Sequence, residues 1–188
     1  MIFFVDIGKP DNTDLVRWKG KNAKVFLLDI ITARKNAADE YFLHLEKSDH
    51  RMVYIKKNEI VFLICSQQSV QYQLLEAILE QVMHDFFEAY NEIVNDPILL
   101  SGMVSSFTGF VSEIPPTFET ALKTRVKWLS ANCKICNENK DVCIKKSLIS
   151  ESKSFPVSLV FEHEGHGLLL YIDRHFRLRG HEIVEISG

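Results

Sequence analysis

The chain has 188 residues, 46% of them hydrophobic and 25% charged, with a formal net charge of −3. That composition excludes collagen-like, low-complexity and wholly disordered chains, and the length suits one large domain or a domain with a small appendage. Residues 1–122 carry 11 Lys and Arg against 17 Asp and Glu, and residues 123–188 carry 11 against 8, so no concentrated basic stripe marks a nucleic-acid footprint.

Met1 to Asp6 is a short apolar run of strand type, ended by the turn chemistry of Gly8-Lys9-Pro10-Asp11-Asn12. Asp14 to Trp18 reads as its hairpin partner. From Asn22 to Lys35, Phe26, Leu27, Ile30, Ile31 and Ala33 share one face of a predicted helix, although Val25 to Leu28 also fits a buried strand. Three runs follow, Tyr41–Leu45, Met52–Ile55 and Ile60–Cys65, separated by turn or charge clusters. They predict a three-stranded antiparallel meander. The third run is apolar on both faces, which places it centrally in its sheet.

Residues 69–94 carry the clearest periodicity: Leu74, Leu75, Ile78, Leu79, Val82, Met83, Phe86, Phe87 and Tyr90 recur at the 3–4 spacing of an amphipathic helix, with Ser69 as the expected N-cap. Phe86, Phe87 and Tyr90, like Trp18, read as core. After Asn95-Asp96-Pro97, the residues Leu100, Met103, Val104, Phe107, Val111 and Ile114 predict a further helix, stopped by Pro115-Pro116. Thr117 to about Ser130 resumes helical spacing. The tail offers three strands, at 155–161, 168–172 and 182–186, with turns at 163–167 and 179–181.

The order strand, strand, helix, three strands, long helix resembles the longin-like family: longin domains of vesicle-fusion proteins, clathrin-adaptor small chains, and the N-terminal domain of the signal-recognition-particle receptor alpha subunit. The likeness rests on Met1–Asp6, Leu15-Val16-Arg17-Trp18, Met52–Lys56, Glu59–Cys65 and the helix led by Leu74-Leu75-Glu76-Ala77-Ile78. It covers residues 1 to about 114 and implies a protein-binding role, with small GTPases, longin or roadblock domains, or fusion-protein helices as partners. Fold alone does not fix the partner.

The chemistry-bearing residues lie in the tail, beyond the resemblance. Cys133-Lys134-Ile135-Cys136 is a C-x-x-C, with Cys143 seven positions on, and His163-Glu164-Gly165-His166 is an H-x-x-H in a predicted hairpin turn. Thiolates two residues apart can fold around one ion, and a structural zinc needs four ligands. Two ligand sets are open: Cys133, Cys136 and Cys143 with one histidine, or Cys133 and Cys136 with both. Buried thiols and a solvated turn are the reading without a metal. A thioredoxin-like pair needs a strand-to-helix context that this C-x-x-C lacks. His163 and His166 are one residue closer than the zinc-protease spacing, and Gly165 stands between them. Arg177 and Arg179 share a strand face, most simply a solvated one; His175 and His181 read as surface residues. No phosphate-binding glycine loop appears.

These readings combine into an α+β protein: a five-stranded antiparallel sheet with flanking helices over residues 1–114, a connecting helix over 115–131, and a β-rich module over 132–188 whose Cys/His cluster suits a structural zinc. The expected function is a non-enzymatic adaptor or scaffold subunit engaging a small GTPase or a longin- or roadblock-type partner in membrane trafficking or signalling. The alternative is a zinc-dependent hydrolase built on Cys133, Cys136, His163 and His166; a zinc module contacting nucleic acid is weaker. The acid at Asp6 comes too early for a signal peptide, and no apolar run approaches ~18 residues. The expected location is cytoplasmic, with any membrane association peripheral and through partners.

Overall fold

A computed structural model describes residues 1–94, 96 and 104–184, in two units, Met1–Thr124 and Arg125–Gly188. In the first, strands β1 (Ile2–Gly8), β2 (Asp14–Lys19), β3 (Leu43–Glu46), β4 (Arg51–Lys57) and β5 (Ile60–Ser66) pair antiparallel in the order β2-β1-β5-β4-β3. The N-terminal hairpin and the meander are therefore present as the hydrophobic pattern requires. β5 is the middle strand and every one of its residues is buried. A strand covered on both faces needs apolar residues on both, which is why its sequence shows no alternation.

Successive residues of a strand point to opposite faces, and here they feed two cores. Val5, Ile7, Val53, Ile55, Phe62 and Ile64 meet the long helix α2 (Tyr72–Val94) through Leu75, Ile78, Leu79, Val82 and Phe86. Phe4, Met52, Tyr54, Leu63 and Cys65 meet the short helix α1 (Leu27–Asn36) through Ile30 and Ala33. Each fully buried side chain of this size contributes about 1.5–3 kcal/mol. Helix α2 starts at Tyr72, with the N–H groups of Leu74 and Leu75 bonded to the carbonyl of Gln71. Ser69, the expected cap, instead accepts a hydrogen bond from the Gln67 side chain.

One strand residue on the α1 face is a fully buried acid, Asp6. Arg34 of α1 donates Nε and Nη2 to Asp6 Oδ2 at 3.0 and 2.7 Å, and Arg17 donates Nε to Oδ1 at 2.8 Å. Arg34 also reaches Asp14 Oδ1 at 2.6 Å. The guanidinium lies over Gly8, where an added Cβ would come within 2.3 Å of Arg34 Cζ.

Residues 97–103, the first part of the helix expected after Pro97, lie outside the described residues. Val104–Ser112 is a 3-10 helix, and α3 (Ile114–Thr124) follows it. Pro115 and Pro116 do not stop a helix here; they occupy the first turn of α3, where a missing N–H leaves no bond unmade and the fixed φ suits the helix. Phe107, Phe110, Ile114 and Ala121 extend the α2-side core. Phe86 is its hub, with ring centroids of Phe62, Phe87, Tyr90, Phe107 and Phe110 at 5.2–6.0 Å.

The second unit opens with a hairpin that the helical spacing of 117–130 concealed: β6 (Val126–Cys133) and β7 (Glu138–Lys145). The helix thus ends at Thr124, and residues 126–131 belong to a strand, not to a connecting helix. Cross-strand pairing supplies the backbone partners, and this tertiary context overrides a weak local preference. After α4 (Lys146–Ser150) come β8 (Val157–His163), β9 (His166–Ile172) and β10 (Leu178–Val184), in the order β10-β9-β8. The last strand starts earlier than expected because the chain reverses at 173–177. There the Asp173 carboxylate accepts the N–H groups of His175 and Arg177 at 2.8 and 2.9 Å and Arg179 Nε at 2.7 Å. Gly180, expected in a turn, sits inside β10; residues 185–188 lie outside the described residues. Ala131, Cys133, Val142, Ile144, Ile149, Leu168, Leu170 and Ile172 form the core of this unit, drawn from both of its sheets.

The observed architecture is α+β, with the expected five-stranded antiparallel sheet, flanking helices and further β structure in the tail. Among the described residues no helix is long and apolar enough to cross a membrane.

Candidate functional site

The ends of two hairpins meet in the second unit. Cys133 is the last residue of β6, paired with Glu138, and Cys136 lies in the turn between them. His163 ends β8 and faces His166, the first residue of β9, across a two-residue turn. Glu164 and Gly165 make that turn with φ of 48° and 77°. Two successive left-handed residues match the right-handed twist of the flanking strands, and glycine adopts the second at no steric cost. The outcome is that one ligand atom from each of Cys133, Cys136, His163 and His166 lies within 4.8 Å of every other. Cys143 is outside this group: it pairs with Trp128 in mid-strand and is fully buried.

The local electrostatics differ from thiol to thiol. The backbone N–H of Cys136, and after it that of Ile135, holds the Cys133 thiol below its ordinary value against the opposing effect of burial. Burial, followed by the Cys133 side chain, pushes Cys136 up, with the Glu138 N–H pulling the other way. Burial alone pushes the Cys143 thiol up to about 12. Burial, helped by the charge of Lys140, keeps His163 below the usual imidazole range, which favours the neutral ring. Among the described residues, neither ring nitrogen of His163, nor Nδ1 of His166, has a hydrogen-bond partner, although all three atoms are buried. The two rings stand nearly perpendicular, with centroids 5.4 Å apart.

Lys140, from β7, ties the two hairpins together. Its ammonium bonds Glu138 Oε2 at 2.5 Å and Glu164 Oε1 at 3.1 Å, so the acid inside the H-x-x-H turn is held by the neighbouring hairpin. Sequence reasoning passed over this lysine, because nothing local marks Lys140 as opposite Glu164. The other basic feature of the tail is paired as well: Arg179 meets Asp173, with Nη2 to Oδ2 at 2.6 Å.

The first unit holds a second notable surface. Helix α1 turns Ile30, Ala33 and Arg34 to the sheet, which leaves Leu27, Leu28 and Ile31 on its outer side, exposed by 58, 80 and 37%. Phe26, Leu27, Ile30, Ile31 and Ala33 were expected to share one face of a helix; Leu27 and Ile31 lie outside the face that packs on the sheet. Nearly perfect amphipathicity would have buried them. The helix instead has apolar residues on both sides, a pattern that periodicity alone cannot assign to core or surface. Strand β3, at the edge of the sheet, pairs with β4 alone among the described strands.

No family model matches the chain, and no curated protein matches it. Among solved structures, one described as the structure of the mammalian SRP receptor aligns with 66% of this chain and 97% of its own matched chain, at 14% identity and a TM-score of 0.45.

Proposed function

We propose that the chain is a non-enzymatic adaptor or scaffold subunit that binds a small GTPase or a longin- or roadblock-type domain, in membrane trafficking or signalling. The observation that carries this reading is the outward row Leu27, Leu28 and Ile31 on α1. Side chains of this kind gain by leaving water, and the i, i+3 and i, i+4 spacings put all three on adjoining positions of one helix. An apolar helix face next to a polar surface is the usual anchor of a protein partner. The strand-strand-helix, three-strand, helix order on which the longin-like resemblance rests supports the same reading.

The test is affinity capture with the full chain in the presence of GDP or a non-hydrolysable GTP analogue, comparing wild type with Leu28→Asp. Wild type is expected to recover a GTPase, dependent on the nucleotide, or a longin or roadblock protein. Leu28→Asp places a carboxylate in the apolar contact and should lose that partner while keeping its far-UV circular dichroism. Recovery of neither class, or equal recovery by the folded variant, refutes the reading.

A further inference from the structure

We propose that Cys133, Cys136, His163 and His166 are the four ligands of one structural zinc ion, and that Cys143 takes no part. This goes beyond the docking surface on α1, since the two lie in different units.

The argument begins with distance. A tetrahedral ion with Zn–S of about 2.3 Å and Zn–N of about 2.0 Å sets its ligand atoms roughly 3.3–3.8 Å apart. The four atoms already lie within 4.8 Å of one another, so a movement of under ~1 Å per side chain closes the set. The cluster is assembled from two separate hairpins whose strands share one core, through Cys133, Val142, Leu168 and Leu170. Such convergence is expensive to arrange by chance, because C-x-x-C and H-x-x-H are 27 or more residues apart in the chain.

The second observation is independent of the thiols. Buried polar atoms are nearly always hydrogen-bonded, yet both nitrogens of His163 and Nδ1 of His166 have no partner among the described residues. A neutral imidazole nitrogen directed at a cation needs none, since its lone pair is the bond, and one ion accounts in this way for one nitrogen of each ring. The Cys133 sulfur accepts backbone N–H groups from Ile135 and Cys136, the arrangement that supports a thiolate in a tight turn.

The donor set selects the ion. Two thiolates and two imidazoles in a tetrahedral arrangement suit zinc, and the two negative sulfurs cancel its charge. Four protein ligands leave no position for a water, so the ion would hold the two hairpins together and would not activate a nucleophile. Cys143 is five residues beyond Glu138 along β7, about 17 Å from the turn at the rise of an extended strand.

The test uses the full chain. Metal analysis of the purified protein is expected to find one zinc per chain, and cobalt exchanged into the site should give the intense ligand-field bands of a tetrahedral ion and thiolate-to-cobalt charge transfer. Cys136→Ser and His166→Ala should lose stoichiometric metal, while Cys143→Ser should keep both the metal and the charge-transfer band. Should a variant fail to fold, wild type alone suffices: peptide mapping after maleimide treatment should find Cys136 modified only once a chelator is added, with Cys143 unmodified throughout in the folded protein. The proposal is overturned by a chain that takes up neither zinc nor cobalt, by an octahedral cobalt spectrum, by loss of the band in folded Cys143→Ser, or by Cys136 reacting equally with and without chelator.

Discussion

Arg34→Met removes the helix side of a buried ion cluster, and the structure says how large the effect should be. Arg34 is only 2% exposed, and two of its nitrogen atoms bond the fully buried carboxylate of Asp6. Methionine fills much of the same volume but leaves Asp6 Oδ2 without its guanidinium. Breaking one side of a buried pair costs about 3–5 kcal/mol. The lower end is expected because Arg17, partly exposed, still holds Asp6 Oδ1. With about 2.1 cal/mol/K of unfolding entropy per residue, the 124 residues of the first unit give roughly 0.26 kcal/mol/K, so a 3 kcal/mol loss lowers its melting midpoint by about 12 °C.

Scanning calorimetry of the full chain reads that midpoint, and a double-mutant cycle identifies its origin. Asp6→Leu alone strands Arg34 beside Asp14, but Asp6→Leu with Arg34→Met removes both buried charges at once. The double variant should be at least ~1 kcal/mol more stable than the sum of the single losses, as expected for coupled residues. A shift under about 4 °C for Arg34→Met, or additive single effects, would refute the view that this pair is a coupled, desolvated unit.

Phe86→Ala removes the ring on which five other aromatic side chains converge; urea denaturation should register a loss of about 3–5 kcal/mol, and a change under ~1 kcal/mol would mean that the cluster repacks freely. Asp173 is held below its ordinary value of 3.8, first by the Arg177 N–H and then by the His175 N–H and Arg179. A lowered folded value means that its stabilisation is fully present above the unfolded value and is lost as pH falls below about 3.8 through the lower folded one. Amide shifts of His175 and Arg177 should therefore move together in that acid range. Asp173→Asn should abolish the transition, and an unchanged acid profile in the variant would count against it. The Leu28→Asp capture experiment and the metal analysis test the docking face and the zinc centre separately, so either can fail without the other.

Much of the molecule was legible because it is local. The 3–4 spacing of Leu75, Ile78, Leu79, Val82 and Phe86 states both that α2 is a helix and which face it buries. The doubly apolar run Ile60–Cys65 states that β5 is interior. The turn chemistry of Gly8 to Asn12 and of Glu164-Gly165 marks two hairpins. The stretch 126–145 was not legible, since Val126 and Leu129 fit a helical spacing equally well and only β7, pairing across the hairpin, decides for a strand. Nothing local marks Arg34 as buried, because its partner, Asp6, is 28 positions away in the chain.

By itself the sequence determined the order of elements from β1 to α2, the α+β class, and that thiols and imidazoles suited to one metal ion occur in the tail. Tertiary structure decided which of them meet. Two hairpins folded on one core bring Cys133 and Cys136 to His163 and His166 and leave Cys143 in mid-strand beside Trp128. It also decided that Leu27, Leu28 and Ile31 face outward, because α1 gives the sheet only the side that carries Ile30, Ala33 and Arg34. Periodicity reports the faces of a single element; which face is covered, and by what, depends on contacts between residues far apart in the chain.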